Sequence, residues 1–252
     1  MTEQKFLVKD LQTNCKIYGN GTPFLILHGW GSSSDKWQKI GQIVSEKGFK
    51  VIIPDMPGFG KSEIPKTPWD INNYVSWLEE LIKVLNLQSY YLLGHSFGGA
   101  VAVKVVVDAP QKINKLFLVS CAYIRKRTLL KKVLSRLAKV VKVFYFLPHY
   151  ALVRKAFYKF FIKKSDYVYA EGVMKETYSK VISEDLSYYL SFIKVPTVII
   201  WGDKDKSTPV KNAYFLNKKI SGSKLIVIPD AVHNLNQKSP EILIEKVLEN
   251  LK

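Results

Sequence analysis

SYYLLGHSFGGAVAVKVVVDA, residues 89–109, is the stretch on which the fold turns. Its first five residues, 89–93, are a serine followed by aromatic and aliphatic residues with no strict alternation, which predicts a strand buried on both faces. From residue 97 to 109 small and β-branched apolar residues continue for several turns, which predicts a helix. Between them Gly94-His95-Ser96-Phe97-Gly98 fits G-x-S-x-G. A serine on a tight turn from strand to helix is presented to solvent at the tip of that turn. Gly94, Gly98 and Gly99 leave room for the close approach of neighbouring backbone. A plainer reading stays open here, in which Ser96 only caps the helix that follows.

The same alternation extends in both directions. Strands are predicted at 23–27, 50–54, 115–120, 196–201 and 224–228, and helices near 35–47, 70–86, 209–219 and 239–251. Asp70, Pro209 and the pair Ser239-Pro240 supply N-cap or first-turn residues. Strand–helix alternation of this kind predicts an α/β fold with a mostly parallel central sheet and helices on both faces. The first twenty residues read as an antiparallel hairpin on the sheet edge. Between Ala122 and Ser191 the alternation stops. Leu130, Val133, Leu134, Leu137, Val141 and Phe144 recur at helical spacing, and a second amphipathic segment runs from Val153 to Lys163, after Pro148. The expected organisation is therefore a core built from 1–121 and 192–252, with 122–191 inserted as a helical cap.

Taken with two further motifs, the chain resembles the α/β-hydrolase superfamily, in particular its cap-bearing esterase-like branch. His28-Gly29-Trp30-Gly31 follows the first core strand and resembles the family's oxyanion loop. Asp55-Met56-Pro57-Gly58-Phe59-Gly60-Lys61-Ser62 resembles its D-x-P-G-x-G-x-S signature. The resemblance covers nearly the whole chain and implies a serine hydrolase.

A serine hydroxyl is a weak nucleophile and needs a base. Of the four histidines, His28 lies in the oxyanion loop, His95 beside the serine within the turn, and His149 in the cap. His233 follows the last predicted strand and satisfies the family's chain order of Ser, acid, His. Trp201-Gly202-Asp203-Lys204-Asp205 resembles the family's G-x-x-D turn, and that register selects Asp205, with Asp203 as a rival. Asp230 reads as a loop residue. The resemblance thus implies Ser96, Asp205 and His233 as catalytic residues, with an oxyanion hole formed by the backbone N–H groups of Trp30 and Phe97. Trp30, Phe144, Tyr145 and Phe157 are the expected pocket residues. The family usually carries Gly before the histidine, where this chain has Val232. A β-branched residue resists positive φ, so a different loop path is expected.

Composition narrows the alternatives. With 47% hydrophobic and 13% aromatic residues in 252, the chain has ample apolar material for a core and is not a disordered protein. Cys15 and Cys121 cannot form a disulfide framework, and no Cys/His cluster suggests zinc. No metal or organic cofactor is implied. The N-terminal MTEQKFLVKDL lacks the apolar run of a signal peptide. The longest stretch without acid or base, 84–103, carries polar residues and three glycines, which argues against a membrane span. A cytoplasmic protein is expected.

Of the net charge of +17, 13 sits in 124–164, which hold 13 Lys/Arg and no acid. This basic segment reads as a solvated surface or as peripheral contact with an anionic membrane. No recognition motif supports nucleic acid. The expected activity is hydrolysis of small-molecule carboxylic esters with an apolar acyl or aryl part. C–C bond hydrolysis of ring-cleavage products and slow-turnover ligand reception remain as alternatives on the same residues.

Overall fold

The structure, a computed structural model, describes residues 1–122 and 170–251. The expected cap helices around Leu130–Phe144 and Val153–Lys163, together with His149, Phe144, Tyr145, Phe157 and the basic run, lie outside the described residues.

Among the described residues eight strands form one sheet. They are β1 (Thr2–Val8), β2 (Leu11–Tyr18), β3 (Thr22–Leu27), β4 (Phe49–Pro54), β5 (Tyr90–His95), β6 (Ile113–Val119), β7 (Thr197–Gly202) and β8 (Lys224–Ile228). Their order is β1-β2-β4-β3-β5-β6-β7-β8. The pairs β1/β2 and β2/β4 are antiparallel, and every other pair is parallel. The expected N-terminal hairpin is present at the edge. Lys9 and Asp10 both take positive φ, 49° and 61°, as a two-residue turn matched to the right-handed strand twist requires.

Side chains of the central strands alternate between two cores. Along β3, Leu25 and Leu27 face one side, while Phe24 and Ile26 face the other. Along β6, Leu116 and Leu118 join the first set and Phe117 and Val119 the second. Both faces are covered by helices, which is why these strands read as unbroken apolar runs. Helices α2 (Ile71–Val84), α3 (Phe97–Asp108) and α5 (Lys211–Lys219) cover the first face. The second is covered by α1 (Gln38–Ser45) and α7 (Pro240–Leu248). Asp70 caps α2 through a reciprocal pair: its carboxylate accepts from the Asn73 N–H, and the Asn73 amide oxygen accepts from the Asp70 N–H.

The expected helix over 35–47 is divided into a 3-10 turn, Ser34–Trp37, and α1. A short helix, α6 (Leu235–Lys238), precedes α7. Of the segment expected as the cap, the described part holds α4 (Gly172–Val181) and a 3-10 turn, Tyr189–Phe192. Leu186 and Leu190 in this part are buried in the first core. Among the described residues no helix is long and apolar enough to cross a membrane.

Candidate active site

The parallel strands end together on one edge of the sheet, and the loops leaving that edge carry the expected site residues. Ser96 connects β5 to α3 with φ 50° and ψ −113°, a left-handed conformation that a residue with a Cβ rarely adopts. Backbone bonds impose it. The Ser96 N–H donates to Val119 O (3.0 Å), and its own carbonyl accepts from Gly99, Ala100 and Ala122. Glycine is required at position 98, where a Cβ would stand 2.3 Å from the Leu27 carbonyl oxygen. Although Ser96 precedes α3, its side chain makes no capping bond to that helix. Its Oγ lies 3.0 Å from His233 Nε2.

His233 sits in the loop after β8. Its Nδ1 is 2.7 Å from Asp205 Oδ2. The carboxylate of Asp205 is buried and surrounded by donors. Oδ1 accepts from the N–H groups of Ser207 and Thr208, both at 2.8 Å, and Oδ2 also accepts from the Thr208 hydroxyl at 2.8 Å. Burial pushes the Asp205 carboxyl up. The bond to His233, its charge and the Thr208 donors outweigh that, and hold it below the usual carboxylate range.

Asp203, the rival, is exposed. Asp230 is exposed too and pairs with Lys204 at 2.5 Å. The structure thus brings Ser96, His233 and Asp205 into one line and leaves Asp203 and Asp230 outside it.

The absence of glycine before His233 is accommodated upstream. Positive φ falls on Asp230, at 58°, and not on Val232. Ala231 then lies against the acid turn, its carbonyl accepting from the Lys204 N–H at 3.0 Å. A Cβ on Gly202 would meet that same carbonyl oxygen at 2.2 Å, so glycine at the end of β7 is what lets the two loops dock.

The other histidines near the site are held by specific bonds. His28 is fully buried; its Nδ1–H donates to Gly29 O (2.8 Å) and its Nε2 accepts from the Met56 N–H (3.0 Å). That arrangement fixes a neutral tautomer, and burial lowers its pKa. It ties the loop after β3 to the loop after β4. In the second loop Asp55 accepts from the N–H groups of Ser34 and Lys61 and from the Asn14 amide, while the Ser62 hydroxyl donates to the Asp55 carbonyl. The ends of the 55–62 motif are therefore structural fastenings. His95 donates from Nε2 to the carbonyl of His233 at 3.0 Å.

Beside Ser96 lies an aromatic cluster. The Trp30 ring centroid is 4.8 Å from Phe59, 5.4 Å from Phe97 and 5.0 Å from Tyr178 of α4. The backbone N–H groups of Trp30 and Phe97 donate to no other described residue. Sequence reasoning missed Thr208, Tyr178 and the bond made by His95. Only Thr208 had a local signal, a hydroxyl three residues after a carboxylate in a turn. Among the described residues no group of three or more His, Cys, Asp or Glu is placed to hold a metal ion.

The family model for the alpha/beta hydrolase fold matches residues 22–144 and 132–240 of the chain. The chain belongs to the α/β-hydrolase family. As an α/β hydrolase it is 29% identical over 243 residues to a pimeloyl-[acyl-carrier protein] methyl ester esterase of Wigglesworthia glossinidia brevipalpis, covering 86% of this chain and 89% of that protein. It is similar in structure to an esterase from Exiguobacterium antarcticum, with a TM-score of 0.77, 23% identity and 98% coverage of each chain. An uncharacterized protein of Mycobacterium tuberculosis is 32% identical over 111 residues, covering 44% of this chain. This α/β hydrolase spans only 32% of that mycobacterial protein's length.

Proposed function

We propose that this α/β hydrolase is a serine esterase that cleaves carboxylic esters with an apolar acyl or aryl part. The observation that carries the reading is the line from Ser96 Oγ through the His233 ring to Asp205, at 3.0 and 2.7 Å. In this reading His233 Nε2 takes the Ser96 proton as Oγ attacks the ester carbonyl, and then delivers it to the leaving alcohol. Asp205 accepts from Nδ1–H and so holds the tautomer that leaves Nε2 free to act as base. A water deprotonated by His233 releases the acid from the acyl-enzyme. The N–H groups of Trp30 and Phe97 would stabilise the tetrahedral oxyanion, aided by the N-terminal end of α3.

The aromatic cluster around Trp30 supports an apolar substrate, with residues 122–191 as the cap over it. The 13 bases of 124–164 suit contact with anionic lipid, from which such esters could be drawn. The test is a p-nitrophenyl ester series from C2 to C16, with wild type, Ser96→Ala and His233→Ala. Each variant is expected to lose turnover by about 10⁴- to 10⁶-fold, because the two groups act as a unit. More than a tenth of wild-type kcat in either folded variant sinks the assignment. No ester turnover in wild type, with cleavage of a vinylogous diketone instead, transfers the same residues to C–C bond hydrolysis.

A further inference from the structure

We infer that His95 is a positioning residue for His233, holding the main chain of the base through a bond that turnover leaves intact. The inference rests on the esterase reading of Ser96 and His233. Its first support is direction. A carbonyl can only accept, so the 3.0 Å contact between His95 Nε2 and His233 O fixes the proton of His95 on Nε2. Its second support is where else the base is held. The His233 ring is bonded to Asp205 and Ser96, with the Thr208 hydroxyl 3.2 Å from Nδ1, and the Ser96 bond is broken and remade as the proton moves. The backbone of residues 232–233 has no other side-chain partner among the described residues. The nearest main-chain fastening upstream is at Ala231, and downstream Asn234 O begins α6. His95 therefore fixes the base independently of the groups it reacts with.

Third, the imidazole is retained at a local cost. His95 is 4% exposed, its ring lies 5.6 Å from Trp37, and its Nδ1 is buried with no partner. A phenyl ring would fill that space without leaving a buried acceptor unsatisfied. What phenylalanine could not supply is the Nε2–H. Burial, and next the nearby His233, push the His95 pKa down to about 3. It stays uncharged 5.0 Å from the ring that becomes an imidazolium, where a second cation would oppose that charge. Finally, His95 and Ser96 are consecutive, so one turn of chain sets both the nucleophile and the anchor of its base.

Kinetics of His95→Phe and His95→Gln on the best p-nitrophenyl ester test the role, alongside melting curves and labelling of Ser96 by a fluorophosphonate. Gln keeps a donor near the position of Nε2, and Phe keeps only the volume. His95→Phe is expected to lower kcat by about 10- to 100-fold with KM changed by less than about twofold, the cost of a base displaced by a fraction of an ångström to an ångström. His95→Gln is expected to recover most of that loss. A folded His95→Phe that keeps more than half of wild-type kcat overturns the inference. So does a His95→Gln as slow as His95→Phe, because the side chain would then matter for packing alone.

If His95→Phe does not fold, ¹⁵N-histidine spectra of the wild type decide. A non-titrating His95 with a protected Nε2–H supports the role, and an Nδ1–H tautomer or titration near pH 6 overturns it. Wild type that neither turns over esters nor takes the fluorophosphonate overturns the esterase reading instead, while the spectra still report on the hydrogen bond.

Discussion

Asp203 and Asp205 are the same side chain two positions apart, and their surroundings separate them. Asp205 is buried, bonded to His233 and supplied with donors from Ser207 and Thr208, whereas Asp203 points to solvent. In the esterase reading, Asp205→Asn is expected to cut kcat by about 10⁴-fold through loss of the correct tautomer. Asp203→Asn is expected to stay within about twofold, as exposed substitutions away from a site usually do. Steady-state kinetics on one ester compare the two, and the reverse order would show that the turn has been misassigned. Residue by residue, the serine and the histidine could be read from motif and chain order. The bond from His95 to His233 could not, because it joins residues 138 apart and leaves no local pattern.

At the scale of elements, Lys104 is the anomaly. It lies on α3, which is apolar all round from Phe97 to Val106 apart from this one charge, and it is buried. Its ammonium bonds to Asn72 of α2 and to Glu184 at 3.0 Å, and stands 5.1 Å from the Tyr189 ring centroid. The helix that begins just after Ser96 is thereby fastened to the segment after α4. Glu184 is one-quarter exposed and can be rehydrated if its partner goes, whereas Lys104 cannot. Glu184→Ala is therefore expected to cost about 3 kcal/mol, and Lys104→Met about 1 kcal/mol or less. Urea unfolding measures both, and equal losses would refute the asymmetry.

The sheet was legible from sequence because the central parallel strands are apolar runs covered on both faces. Boundaries were less so. The helix expected from Pro209 begins at Lys211, after a turn in which the Pro209 and Val210 carbonyls accept from the Asn212 and Ala213 N–H groups. The short helix α6 is four residues long, too few for a period to show.

At the scale of the whole molecule, two neutral histidines are buried among the described residues, and charge is concentrated in one stretch of sequence. His28 and His95 both have pKa values lowered mainly by burial, whereas in the unfolded chain each titrates near 6.5. Below that pH the unfolded state binds protons that the folded state refuses, so stability falls as pH drops from about 6.5, by up to about 1.4 kcal/mol per unit for each histidine. For His95 the loss continues down to about pH 3. Urea midpoints between pH 7 and 5 are expected to decline in wild type and to decline less in His95→Gln. A flat profile contradicts the burial of these rings.

The basic stretch 124–164 has a separate test. Sedimentation with anionic vesicles is expected at low salt and not at high salt, since the attraction is screened within a Debye length of about 8 Å at physiological ionic strength. Equal pelleting with neutral vesicles, or none with either, leaves only a solvated surface.

The strand order also bears on the life of the chain before it is complete. Ser96 leaves the ribosome 137 residues ahead of His233. At 5–20 residues per second that is an interval of roughly 7 to 27 seconds. The central strands β3, β5 and β6 can pair within that time, but His233 arrives only after β8, at the edge of the sheet. In the esterase reading a growing chain displays its hydroxyl with nothing to deprotonate it. In that reading the chain cannot act on an ester until its last strand has paired, because the two groups that must meet are 137 residues apart in the order of synthesis.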